Sequence, residues 1–100
     1  MQEYKVKITP TAQNDFLDIS ERLEAQSPEE ATQYYDLVME KTRILSTTPE
    51  CCPYARDSQL RMRGYRMLAV ENYIYFFVII GKTVVIRRIL YAKRQYDRLV

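Results

Sequence analysis

Tyr73-Ile74-Tyr75-Phe76-Phe77-Val78-Ile79-Ile80, then Gly81-Lys82, then Thr83-Val84-Val85-Ile86-Arg87-Arg88-Ile89-Leu90 is the stretch on which the fold turns. Its Tyr, Phe, Ile, Val and Thr residues suit a pleated backbone. Both alternating sets of Tyr73–Ile80 are apolar, with Tyr73, Tyr75, Phe77 and Ile79 on one face and Ile74, Phe76, Val78 and Ile80 on the other. A strand of that kind is central in its sheet and covered on both sides. Glu71-Asn72 before it and Gly81-Lys82 after it are two-residue breaks that suit tight hairpins. Gln59–Val70, Tyr73–Ile80 and Thr83–Leu90 therefore read as a three-strand meander.

Upstream the period changes. Residues 3–8 alternate, with Tyr4, Val6 and Ile8 against Glu3, Lys5 and Lys7, as in a short half-exposed strand joining the meander at one edge. Thr9-Pro10 starts a helix whose stripe is Ala12, Phe16, Ile19 and Leu23, with Asp15, Asp18, Glu21 and Glu24 on its polar side. Ser27-Pro28-Glu29-Glu30 is a capping box with proline at the first helical position. The helix it opens carries Ala31, Tyr34 or Tyr35, Val38, Thr42 and Leu45, and Thr48-Pro49 ends it. So short a connection folds the two helices into an antiparallel hairpin that covers one sheet face. Lys93–Val100 is expected to form a short helix over part of the other. The expected architecture is α+β, βααβββ, one domain over residues 1–100, an antiparallel sheet packed on an N-terminal helical hairpin.

Composition narrows the function. The chain is 47% hydrophobic and 28% charged, as in folded proteins. No apolar run is long enough to cross a bilayer and no charged-then-apolar leader opens the chain, which predicts an unexported, cytoplasmic protein without a membrane partner. The adjacent Cys51 and Cys52 form no disulfide framework and read as reduced residues. With no histidine, Ser-His-Asp and Cys-His nucleophilic sites are excluded. No zinc ligand set and no glycine-rich phosphate loop is present, so neither a metal, a cofactor nor a small-molecule substrate is expected. Residues 1–50 hold five Lys/Arg against ten Asp/Glu, and residues 51–100 hold ten against three, balances of −5 and +7. A field polarised in this way faces an anionic partner.

The order βααβββ, together with Tyr4-Lys5-Val6-Lys7-Ile8-Thr9-Pro10, Leu45 to Pro49, Gly64-Tyr65-Arg66, Asn72-Tyr73, Phe76-Phe77, Arg88-Ile89-Leu90-Tyr91 and Arg94-Gln95-Tyr96, resembles the RelE/ParE superfamily of bacterial toxins. The likeness covers nearly the whole chain. It implies a toxin of a type II toxin–antitoxin pair, neutralised by a cognate antitoxin. Its cellular target would be DNA gyrase if the chain is ParE-like, or the ribosome with its bound mRNA if RelE-like. In the RelE-like case Arg66, Arg94 and Tyr96 would be the catalytic residues, since clustered cations and a tyrosine can support RNA cleavage without histidine. Leu68 and Ile74, however, stand where the ribonucleases carry a Lys and an Arg. The ParE-like reading is therefore favoured, with no catalytic residue needed in the toxin. The ribosome-dependent endoribonuclease is the alternative, and an inactive or generic nucleic-acid-binding relative a further one. Arg66, Arg87, Arg88, Lys93 and Arg94 are the candidates for target or antitoxin binding. On strands, Arg66, Arg87 and Arg88 would equally serve as solvated cations that discourage edge pairing.

Overall fold

A computed structural model of the chain describes residues 3–93. Strand β1, Lys5–Ile8, leads into helix α1, Pro10–Gln26. The Thr9 hydroxyl accepts from the Ala12 amide at 3.2 Å, and Pro10 occupies the first turn, where its missing N–H costs nothing. Ser27 closes one helix and opens the next. Its N–H donates to the Leu23 carbonyl at 2.8 Å, and its Oγ accepts from the Glu30 amide at 3.4 Å. With that single extended residue between them, α1 and α2 (Pro28–Thr47) fold back as the hairpin the capping box predicts. A 3-10 turn at Pro49–Cys51 follows.

Strands β2 (Arg66–Val70), β3 (Tyr73–Ile80) and β4 (Thr83–Tyr91) make the meander, and the sheet order is β1-β4-β3-β2. Both hairpins turn in two residues, with Glu71 at φ 55° and Gly81 at φ 61°. The α+β class and the βααβββ order of the sheet and helical hairpin are as the sequence predicts, and β1 lies at an edge. The sheet is mixed rather than wholly antiparallel. The chain leaves β1, crosses one face as the helical hairpin and returns through the meander, so that β4 runs parallel to β1.

The central strand β3 separates two cores. Tyr75 and Phe77 face the helices, with Ala12, Ile19, Tyr34, Val38, Leu45 and Ile86. Phe76 and Val78 face the other way, against Ala55, Leu60, Tyr65 and Leu90. The second cover corrects one expectation. Only the last five residues of Gln59–Val70 are extended, because Asp57 caps a short helix, α3 (Ser58–Met62), by accepting from the Gln59 and Leu60 amides at 3.0 Å each. That segment supplies Leu60 and Tyr65 to the second face. Beyond Lys93, the expected Lys93–Val100 helix falls outside the described residues. Among the described residues, no helix is long and apolar enough to cross a membrane.

Of the two tyrosines that the helical spacing left open, Tyr34 is buried and Tyr35 is 52% exposed. The Tyr34 and Tyr75 hydroxyls share a hydrogen bond of 2.8 Å inside the helix-side core. Burial pushes both phenols up, Tyr75 to about 12. The unfolded chain releases these protons near its ordinary value of 10.0, whereas the folded one keeps them. Their stabilising effect is thus complete below pH 10 and is lost as pH rises from there, for Tyr75 through about 12, by up to about 1.4 kcal/mol per pH unit for each tyrosine. Alkaline titration followed by tyrosinate absorbance should show two of the nine tyrosines ionising only as the protein unfolds. Nine ionising together before unfolding would refute this.

Candidate functional site

The cations marked in the sequence sit in three different surroundings. Arg66 opens β2, where the pairing of Arg66 with Phe77 puts it on the helix-covered side of the sheet, at its outer edge. One guanidinium nitrogen donates to the Cys52 carbonyl at 2.8 Å and to the Glu50 carbonyl at 3.1 Å. The group also lies over the Tyr54 ring, 4.0 Å from its centroid. Arg66 thereby ties the loop after α2 to the sheet edge. Beside it the Tyr4 hydroxyl donates to the Glu50 carboxylate. That bond holds the Glu50 carboxyl below the usual range, helped by Arg66, and pushes the Tyr4 phenol up. Burial pushes the Cys52 thiol up against the pull of Arg66, which leaves it protonated and unreactive at neutral pH.

Arg88 turns the other way along the chain, to α1. Its Nε donates to Asp15 Oδ2 at 2.8 Å and a second guanidinium nitrogen to Oδ1 at 3.1 Å, while the Ile89 amide donates to Oδ2 at 3.0 Å. The sequence assigns Asp15 to the solvated side of its helix, but the carboxylate is a bracket between α1 and β4. Arg87 remains exposed. Phe76 pairs with Arg88 and Phe77 with Ile86, so Arg87 is the extra residue of a β-bulge. The bulge resets the alternation of β4: Val84, Ile86 and Ile89 join the helix-side core, and Val85 and Leu90 the opposite one. A strict two-residue period would have set Arg88 in line with Val84 and Ile86, in the core.

Lys93 is exposed, while Arg94 and Tyr96 lie outside the described residues. The strand-borne cations therefore do not converge: Arg66 is bound to a loop, Arg88 to α1, and Arg87 faces the opposite side of the sheet. Leu68 is buried in the helix-side core, and Ile74 packs against the second one. Leu68 is built into the interior, where a cation would lie unpaired in an apolar environment, while Ile74 is half-buried.

Sequence reasoning passed over three more cations. Lys5 and Lys7 pair with Thr83 and Val85 on the sheet face away from the helices, and Arg63 lies over the Tyr65 ring, 5.2 Å from its centroid. The alternation of residues 3–8 contained the signal for the two lysines, but only the pairing partner tells which face they share.

Comparison with known proteins adds the following. A family model described as the ParE toxin of type II toxin–antitoxin systems (parDE) matches residues 6–96. No curated protein sequence matches. Among solved structures, a chain from a chromosomal ParDE toxin–antitoxin system of P. aeruginosa superposes with a TM-score of 0.74 at 21% identity, over 91% of this chain and 98% of that one. At that identity the likeness is one of fold.

Proposed function

The chain belongs to the ParE toxin family of type II toxin–antitoxin systems, and from that premise we propose that it acts in the cytoplasm as a poison of DNA gyrase until a cognate antitoxin neutralises it. The observation that carries the choice of target is the dispersal of its strand arginines. Cleaving RNA without histidine requires several cations around one phosphate, each such donor being worth about 3–4 kcal/mol at the transition state. Here Arg66 and Arg88 are engaged within the fold, Leu68 is buried in the helix-side core, and Ile74 is an apolar, half-buried residue packed against the second. A poison needs no reacting group of its own. It has only to bind where the enzyme holds cleaved DNA, which makes exposed charge the working part. Arg87 and Lys93, with Arg94 beyond them in the sequence, are the residues assigned to that contact. Arg66 and Arg88 are assigned to holding the frame.

Toxin freed of antitoxin is to be added to a gyrase supercoiling and DNA-cleavage reaction and, separately, to mRNA-programmed ribosomes. Cleaved DNA should accumulate in the first and intact mRNA remain in the second. Cuts in ribosome-bound mRNA that disappear with Arg94→Ala or Tyr96→Phe would replace this reading with the ribonuclease one.

A further inference from the structure

The sheet face away from the helices is divided. Its β2–β3 half is filled from within by Ala55, Leu60 and Tyr65. On its β4–β1 half the parallel register sets Lys5 beside Thr83 and Lys7 beside Val85, with Val6 and Ile8 turned to the helix side along with Val84 and Ile86. Arg87 follows on the same side as Val85 and shares a shallow hollow of about 280 Å³ with Arg63, Tyr65 and Val78. Lys82 stands at the hairpin, where its carbonyl accepts from the Lys5 amide at 2.9 Å. Neither β1 nor β4 contains an Asp or Glu, and Lys5, Lys7, Arg63, Lys82 and Arg87 are all exposed.

We infer that this face grips the sugar–phosphate backbone of duplex DNA. Charge complementarity is the first ground, since DNA presents one negative charge per about 1.7 Å of axis and binds cations regardless of sequence. The second is the absence of an apolar strip. An amphipathic protein segment needs a row of apolar anchors, but on the β4–β1 half Val85 is half-buried and set beside Lys7, and the apolar hollow lined by Met67 and Ile74 lies on the β2–β3 half. The third is spacing. Residues two apart on a strand are separated by about 6.6 Å, and neighbouring strands by about 4.8 Å, so the lysines and Arg87 form a patch whose long side chains reach successive phosphates. The choice of duplex DNA rests on the gyrase reading, for gyrase is an enzyme loaded with duplex DNA. A toxin with its own hold on the backbone would be retained at the break.

The test uses the full chain and a short fluorescent DNA duplex of arbitrary sequence, with no gyrase present, followed by anisotropy over a salt series. Binding should weaken with a log–log salt slope of about −3, about −0.9 for each of three phosphate contacts. Lys5→Gln/Lys7→Gln/Arg87→Gln should weaken it about tenfold or more and flatten the slope. Arg22→Gln/Arg43→Gln, on the helices, should leave it unchanged. Equal weakening by the helix pair, an unaffected triple variant, or displacement of the duplex by polyglutamate at matched charge would each overturn the inference. The same proteins then go into the gyrase cleavage reaction. Gyrase trapped equally with and without the three cations overturns the inference and the assignment of Arg87 to the gyrase contact, and spares gyrase as the target. Duplex binding by a wild-type toxin that traps no gyrase supports the inference and sinks the gyrase reading.

Discussion

Asp15→Ala should lower the unfolding free energy by about 2–4 kcal/mol, a larger loss than any exposed ion pair can cause. The carboxylate takes three hydrogen bonds, two from Arg88 and one from the Ile89 amide. The side chains of Arg88 and Asp15 are only 20% and 14% exposed, so water replaces the lost partner poorly. Alanine takes away the carboxylate that both the Arg88 guanidinium and the Ile89 N–H donate to, at the place where β4 bulges. For a domain of this size, a loss on that scale moves Tm down by roughly 10–20 °C. Asp15→Asn, which keeps an acceptor for the Ile89 amide but not the charge, should fall between wild type and alanine. A double-mutant cycle with Arg88→Ala isolates the pair. A total loss under about 0.5 kcal/mol for Asp15→Ala would reassign it to the solvated face read from the sequence.

The second large effect is expected at Phe77, which is 0% exposed. It lies on the central strand, paired with Arg66 on one side and Ile86 on the other, and packs into the helix-side core. Truncation to alanine removes a ring that neighbouring side chains cannot fully replace, and such changes cost about 3–5 kcal/mol. Against a total stability of about 5–15 kcal/mol, that is enough to leave a fraction of the chain unfolded at growth temperature. Urea unfolding of Phe77→Ala should show a lower midpoint with an unchanged slope, and Phe77→Leu a smaller shift. A midpoint that stays put would mean that the core collapses into the vacancy more readily than its packing implies.

The two sites illustrate why some of this fold was legible and some was not. Thr9-Pro10, Ser27-Pro28-Glu29-Glu30 and the two-residue breaks at Glu71-Asn72 and Gly81-Lys82 act on backbone groups within a few residues of themselves. Their consequences follow from local chemistry alone. The same is true of β3, whose double apolar set required cover on both sides. The short helix after Asp57 was missed because a stretch with apolar residues at Leu60, Met62 and Tyr65 satisfies a strand period about as well as a single helical turn. The bulge at Arg87 was missed because alternation is read by counting, and one extra residue shifts every later side chain to the other face.

The candidate surface divides in the same way. That the second half of the chain carries the positive charge, and that no histidine is available for catalysis, was determined by the sequence itself. It also determined the helical hairpin, the three-strand meander and the family likeness. Which cations are left to act was decided only in three dimensions. Asp15 and Arg88 are 73 residues apart in the chain, and Lys7 meets Val85 only because β1 lies parallel to β4. A guanidinium is a structural clamp or a contact surface according to what the fold brings within hydrogen-bonding distance, and that distance has no counterpart along the chain.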